Sequence, residues 1–207
     1  MVVLNIFPVN NKRSRVVLDN DETFELYNTE IRRYKLTEGA EIIEDTYRTL
    51  TEEILPKRCK LRAMNLLKSR DYTENALKDK LIFGGYPSDI VDEALKYVKS
   101  FGYVDDFRYS TGFINFHLKD NSRKEITYKL MSKGVSKDVI EKAFEMCDER
   151  NEELSYNPEE DLIRKQLVKK HYSPDMSYEE RSKLMAYFYR KGFEPDKVSK
   201  VMDTFLQ

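Results

Sequence analysis

Apolar and polar positions along this chain follow two rhythms. Over residues 1–27 the apolar residues come in short β-branched and aromatic runs, VVLNIF, RVVL and TFELY, separated by turn-forming stretches around NNK and DND. Such runs suit a pleated surface, and they predict a small antiparallel hairpin or three-stranded meander. So small a sheet is rarely stable alone. Its apolar face is therefore expected to be covered by the next helix, about residues 29–36, or by a partner. A second helix is expected from near Gly39 towards Leu55, with Pro56 separating this region from a helix that opens on Lys57.

From Lys57 onward the spacing is helical, and it repeats. ALKDKLIFGGYPSDIVDEAL (76–95) aligns with EITYKLMSKGVSKDVIEKAF (125–144) at an offset of 49, and SKLMAYFYRKGFEPDKVSKVMD (182–203) follows at a further offset of 58. The apolar pairs Leu77/Leu81, Ile126/Leu130 and Leu184/Phe188 make a core-facing stripe. Gly85, Gly134 and Gly192 end that helix, because the residue just past a helix commonly takes positive φ. The apolar residue after each glycine, Tyr86, Val135 or Phe193, is placed to fold back onto the stripe. Pro87 and Ser88, Ser136, and Glu194 with Pro195 then start a new helix. Asp89, Asp138 and Asp196 lie in its first turn, facing the positive end of the helix dipole.

One more helical pattern precedes each pair: LRAMNLLKSR (61–70), DDFRYSTGFINFHL (105–118) and EDLIRKQLVKKHY (160–172). The expected architecture is mainly α. Three tandem three-helix modules, residues 57–104, 105–150 and 155–207, follow a small β region with helix over residues 1–56, in an elongated, curved arrangement. Gly102 and Asp105 or Asp106 leave almost no linker between the first two modules, so those are expected to be tightly coupled. The acidic run DERNEELSYNP (148–158) reads as a longer, more flexible join.

Composition narrows the function. Charged residues make up 35% of the chain, and 36 Lys and Arg balance 37 Asp and Glu, so no bulk field draws the whole protein to DNA or membrane. Any nucleic-acid contact must come from local patches. Cys59 and Cys147 lie far apart in helical patterns and read as buried reduced thiols. The short apolar start does not make a signal peptide, and no stretch reaches spanning length, which predicts a cytoplasmic protein with no membrane contact. His117 and His171 have no acidic or cysteine neighbours at ligand spacing. There is no phosphate-loop motif, and Gly84-Gly85 has a helix-ending role instead. The expectation is a non-enzyme with no metal and no cofactor.

The module at residues 62–110 resembles the RecX family. The resemblance lies in its Leu66-Leu67, three residues, Arg70 opening, in its Leu-x-x-Lys-Leu helix, and above all in the turn Phe101-Gly102-Tyr103-Val104-Asp105-Asp106-x-Arg108-Tyr109. It extends over roughly residues 57–205, and the third module differs by a longer join, HYSPDMSYEERSK. The resemblance implies a negative regulator of the RecA recombinase. Such a protein would lodge in the groove of the RecA filament on single-stranded DNA, or cap a growing end, and suppress ATP hydrolysis and strand exchange.

Candidate contacts are basic. Lys57, Arg58, Lys60 and Arg62, with Lys68 and Arg70 at the far end of the same helix and Arg108 in the specific turn, offer positive charge to an acidic RecA surface or to DNA phosphate. The same residues also read as an ordinary solvated helix face, with Arg70 pairing Asp71 or another acidic neighbour. A sequence-specific DNA-binding protein is a competing reading. It is opposed by Asp89, Asp92 and Glu93, and by Asp138 and Glu141, in the helices that would enter a groove. A generic helical scaffold is another. The 25 tyrosines and phenylalanines could stack on single-stranded bases, giving a weak direct DNA contact, but Phe101, Phe113 and Phe188 fall on apolar stripes and read as core. A monomer is expected, since adjoining modules can bury one another's stripes.

Overall fold

The computed structural model describes residues 1–154 and 156–205. The chain forms two compact units, Met1–Asp105 and Asp106–Gln207. The first opens with the expected meander: β1 (Val3–Pro8), β2 (Arg13–Leu18) and β3 (Thr23–Tyr27), antiparallel in the order β1-β2-β3. Alternation puts Val16, Leu18, Phe24 and Leu26 on the buried face, and Arg15 opposite Glu25 on the other. Both sheet edges are occupied. On the β1 side, the Val3 N–H donates to the Ala40 carbonyl at 3.0 Å, and the Ile6 N–H to Glu38 Oε1 at 2.7 Å. On the β3 side, the Glu25 N–H donates to the Gly85 carbonyl at 3.1 Å. An open ladder edge would otherwise be free to pair with another chain.

Helix α1 (Asn28–Arg33) is shorter than the reading over 29–36, and α2 (Glu44–Arg48) begins five residues later than expected. Pro56 does not separate two helices. A π-helical segment, Thr49–Ile54, joins α2 to α3 (Leu55–Leu67), and the Leu55 N–H reaches five residues back to the Leu50 carbonyl. A proline inside a regular α-helix clashes with the carbonyl four residues before it. The wider π turn just upstream changes that local geometry, while Pro56 occupies the first positions of α3, where its missing N–H costs least. One core then runs from Val3 and Phe24 of the sheet through Leu50, Leu55 and Cys59 to Leu77, Val91 and Val98. The sheet is thus covered by the helices of the first module and not by α1 alone.

The first unit is completed by α4 (Glu74–Phe83) and α5 (Ser88–Ser100). The second holds α6 (Asp106–His117), α7 (Arg123–Met131), α8 (Lys137–Glu153), α9 (Pro158–Lys169), α10 (Tyr178–Arg190) and α11 (Pro195–Asp203). The repeat is visible in the hydrogen bonds. Gly85, Gly134 and Gly192 take φ of 83°, 81° and 84°. The N–H after each glycine bonds five residues back, Tyr86 to Leu81, Val135 to Leu130 and Phe193 to Phe188, while each glycine N–H bonds three back. This is the Schellman closure, made three times. Helices α5, α8 and α11 start at Ser88, Lys137 and Pro195, with the sequence offsets preserved.

The acidic run at 148–153 is not a join but the last turns of α8. Asp148 accepts from Arg123 Nη1 at 2.8 Å on both oxygens, and Arg123 also lies 4.2 Å from the Phe144 ring centre, which fixes that end of the helix. The rest of the predicted join includes Ser155, which lies outside the described residues. Within this unit the Ser122 hydroxyl donates to the Lys191 carbonyl at 2.6 Å. A Cβ at Gly192 would come within 2.8 Å of that hydroxyl oxygen. A helix-ending glycine of one module therefore seats against the helix start of the module before it.

His117 packs against Phe113, ring centres 4.1 Å apart, and against Phe116 at 5.1 Å. Burial, helped by the Lys129 charge, pushes its imidazole below the ordinary 6.5. The neutral form is the one the fold holds. Its contribution to stability is thus complete above pH 6.5 and is lost as pH falls from there through the folded-state value. A ring-proton NMR titration should place the His117 midpoint below 6.5. In a His117→Phe variant the loss of stability over that window should shrink, and an unshifted midpoint with unchanged acid sensitivity would contradict this account.

Candidate functional site

Helix α3 carries most of the predicted basic residues, and the structure sorts them. Its inner face is Leu55, Pro56, Cys59 and Ala63. The Cys59 thiol is buried there, and its pKa is pushed up to about 12 by that burial. The Cys147 thiol is buried in the second unit and is also shifted upward, by burial and by Asp148. These thiols are poor nucleophiles.

Arg58 is committed to the fold. Its guanidinium pairs with Glu30, donates to the Glu25 carbonyl at 3.4 Å and lies 4.7 Å from the Tyr27 ring centre, tying α3 to the sheet and α1. Lys60 points elsewhere: its ammonium is 4.0 Å from the Glu93 carboxylate and 5.6 Å from the Tyr97 ring centre. Lys57 and Arg62 are exposed on α3, and Lys68 is exposed at its C-terminal cap. Arg70 lies beyond α3, which stops at Leu67 and not at residue 70. The Ser69 hydroxyl bonds the Leu66 carbonyl at 2.7 Å, a local contact that competes with continuing the helix. Arg70 sits over Tyr72, 4.5 Å from the ring centre. Arg108 is exposed on α6, in the second unit. The structure thus leaves Lys57 and Arg62 exposed on different sides of α3 and Lys68 exposed at its C-terminal cap, assigns Arg58 to internal packing, and puts Arg108 on a different unit.

A second surface was missed by the sequence reading. Phe101 is 57% exposed, not core, whereas Phe188 is fully buried as expected and Phe113 is partly buried. The stripe of α5, Val91, Ala94, Leu95 and Val98, would next reach residue 101. The chain turns first: Gly102 takes φ 68°, the Tyr103 N–H closes onto the Val98 carbonyl at 3.0 Å, and Val104 enters the core instead. Phe101 is left outside between Tyr97, at 5.1 Å, and Tyr103, at 5.8 Å. The Tyr97 and Phe101 spacing of four, with a tyrosine just past the glycine, was the available signal.

Among the described residues no group of three His, Cys, Asp or Glu is placed to hold a metal, and no helix is long and apolar enough to cross a membrane. The acidic end of α8 lines a cleft with Arg123, Glu159 and Lys197, whose charges are matched internally: Lys197 Nζ is 2.8 Å from Glu159 and 3.5 Å from Glu194.

Repeated three-helix modules behind a small sheet, with charged and aromatic side chains displayed on helix surfaces, define a helical-repeat protein built to present surfaces. Comparison with known proteins gives the particular family. The family model described as RecX, first three-helix domain, matches residues 59–97, and that for the third three-helix domain matches residues 158–202. Regulatory protein RecX of Caldanaerobacter subterraneus subsp. tengcongensis is 32% identical over 169 residues, 81% of each chain. That of Clostridium botulinum is 28% identical over 193 residues, 93% of this chain and 90% of the relative. A crystal structure of regulatory protein RecX has a TM-score of 0.65 at 18% identity over 98% of both chains, showing the shared fold. The chain belongs to the RecX family of regulatory proteins.

Proposed function

We propose that this protein is a negative regulator of RecA recombinase that binds the RecA filament on single-stranded DNA and suppresses its ATPase and strand-exchange activities. It acts in the cytoplasm, as a monomer, by binding and not by catalysis. The observation that carries the reading is the family membership over most of the chain, joined to exposed cations on and just after α3, Lys57, Arg62 and Lys68. Cations there suit an acidic protein face or DNA phosphate, and they steer association more than they set final affinity.

The deciding experiment is RecA-catalysed, single-stranded-DNA-dependent ATP hydrolysis with increasing protein. Suppression at substoichiometric amounts is expected, and no effect at saturating protein would reject RecA as the partner. Reversing Lys57, Arg62 and Lys68 together to glutamate, leaving the structural Arg58 intact, should weaken filament binding about tenfold and flatten its salt dependence. Unchanged affinity and salt slope would remove α3 from the interface.

A further inference from the structure

We propose that the exposed row Tyr97, Phe101 and Tyr103, edged by Lys60, is a stacking platform for the bases of single-stranded nucleic acid, usable without any protein partner. The three rings form a continuous series. Tyr97 meets Phe101 edge-on at 5.1 Å and 63°, and Phe101 lies nearly parallel to Tyr103 at 5.8 Å and 19°. All three are exposed. Burial of Val98 and Val104 on either side of the turn holds the row in place, so the rings are presented by a closed helix end and not by a free loop. Nucleobases stack on such faces whatever their sequence.

One of the charges nearby, on Lys60, is of the right kind. Lys60 holds its ammonium 5.6 Å from the Tyr97 ring centre, and its ion-pair partner, Glu93, is 4.0 Å away at the limit of pairing and largely exposed. So loose a surface pair has little net strength, which leaves the ammonium able to meet a backbone phosphate while a base lies on the ring. The platform belongs to the first unit alone. The residues 49 positions on from Tyr97 and Phe101 are Met146 and Arg150, so the second module does not repeat it.

The chain contains no tryptophan, which supplies a direct test. A Phe101→Trp variant carries a single indole in the row, and its emission should be quenched by an oligo-dT single strand but much less by an abasic strand of equal length and charge. In anisotropy titrations of labelled oligo-dT against the full-length protein, Phe101→Ala should weaken binding about tenfold, with Phe101→Trp retaining it. Equal quenching by abasic DNA, or equal oligo-dT affinity for wild type and Phe101→Ala, would overturn the platform. So would a Phe101→Ala variant that binds oligo-dT normally yet loses potency on RecA, because the row would then be a protein contact. The titrations contain no RecA, so their failure leaves the reading as a recombinase regulator standing, and the converse also holds.

Discussion

Gly85→Ala should be among the most damaging single-methyl changes in the first unit, lowering its stability by about 3 kcal/mol or more and its thermal midpoint by about 10 °C or more. Two costs combine. Gly85 sits at φ 83°, where any side chain is strained. An added Cβ would also lie 2.3 Å from Cγ and Cδ of Glu25. Glu25 has little room to withdraw, being buried at 4% exposure between Arg13 and Arg15, each 3.1 Å from its carboxylate. Displacing it would also disturb the bond from the Glu25 N–H to the Gly85 carbonyl that closes the sheet edge. Gly102→Ala is the matched control: φ is 68° but nothing lies within 4 Å of the new atom, so the backbone term alone, about 1 kcal/mol, applies. Paired melting curves decide the matter. Equal midpoints for the two variants would mean that the contact with Glu25 yields freely.

Phe188→Ala should cost about 3–5 kcal/mol, through lost transfer energy and the cavity left behind. Phe188 is fully buried, meets Phe193 edge-to-face at 5.6 Å, and sits in a core with Ile163, Leu167, Val198 and Val201. That cluster is distinct from the one joining the sheet to α3–α5. Hydrogen exchange should therefore show amide protection falling in α10 and α11 while amides of residues 1–105 stay as protected as before. Uniform loss across both units would show that they unfold as one cooperative body.

The repeat was legible because it is written in local chemistry. Leu81, Leu130 and Phe188 mark the last buried turn, glycine follows at a fixed distance, and an aspartate opens the next helix. Each of these is a short-range requirement that holds whatever lies across the fold. The meander was legible for the same reason, from alternation and turn residues. Family membership could also be seen, through the turn from Phe101 to Tyr109, the most distinctive string in the chain.

The candidate surfaces were less legible. Lys57 and Arg58 are neighbours of like charge in the sequence, yet one faces solvent and the other clamps Glu30 and Tyr27 from elements about thirty residues upstream. The path through Pro56 depended on a π segment and on a sheet waiting to be covered. Phe101 looked like core until a left-handed glycine one residue later sent Val104 inward in its place. By itself the sequence determined the repeated helix ends, because those follow from contacts within a few residues, and the family, through one distinctive string. Only the tertiary structure decided which charges and rings remain outside to meet a partner, because that depends on which distant elements take up the others first.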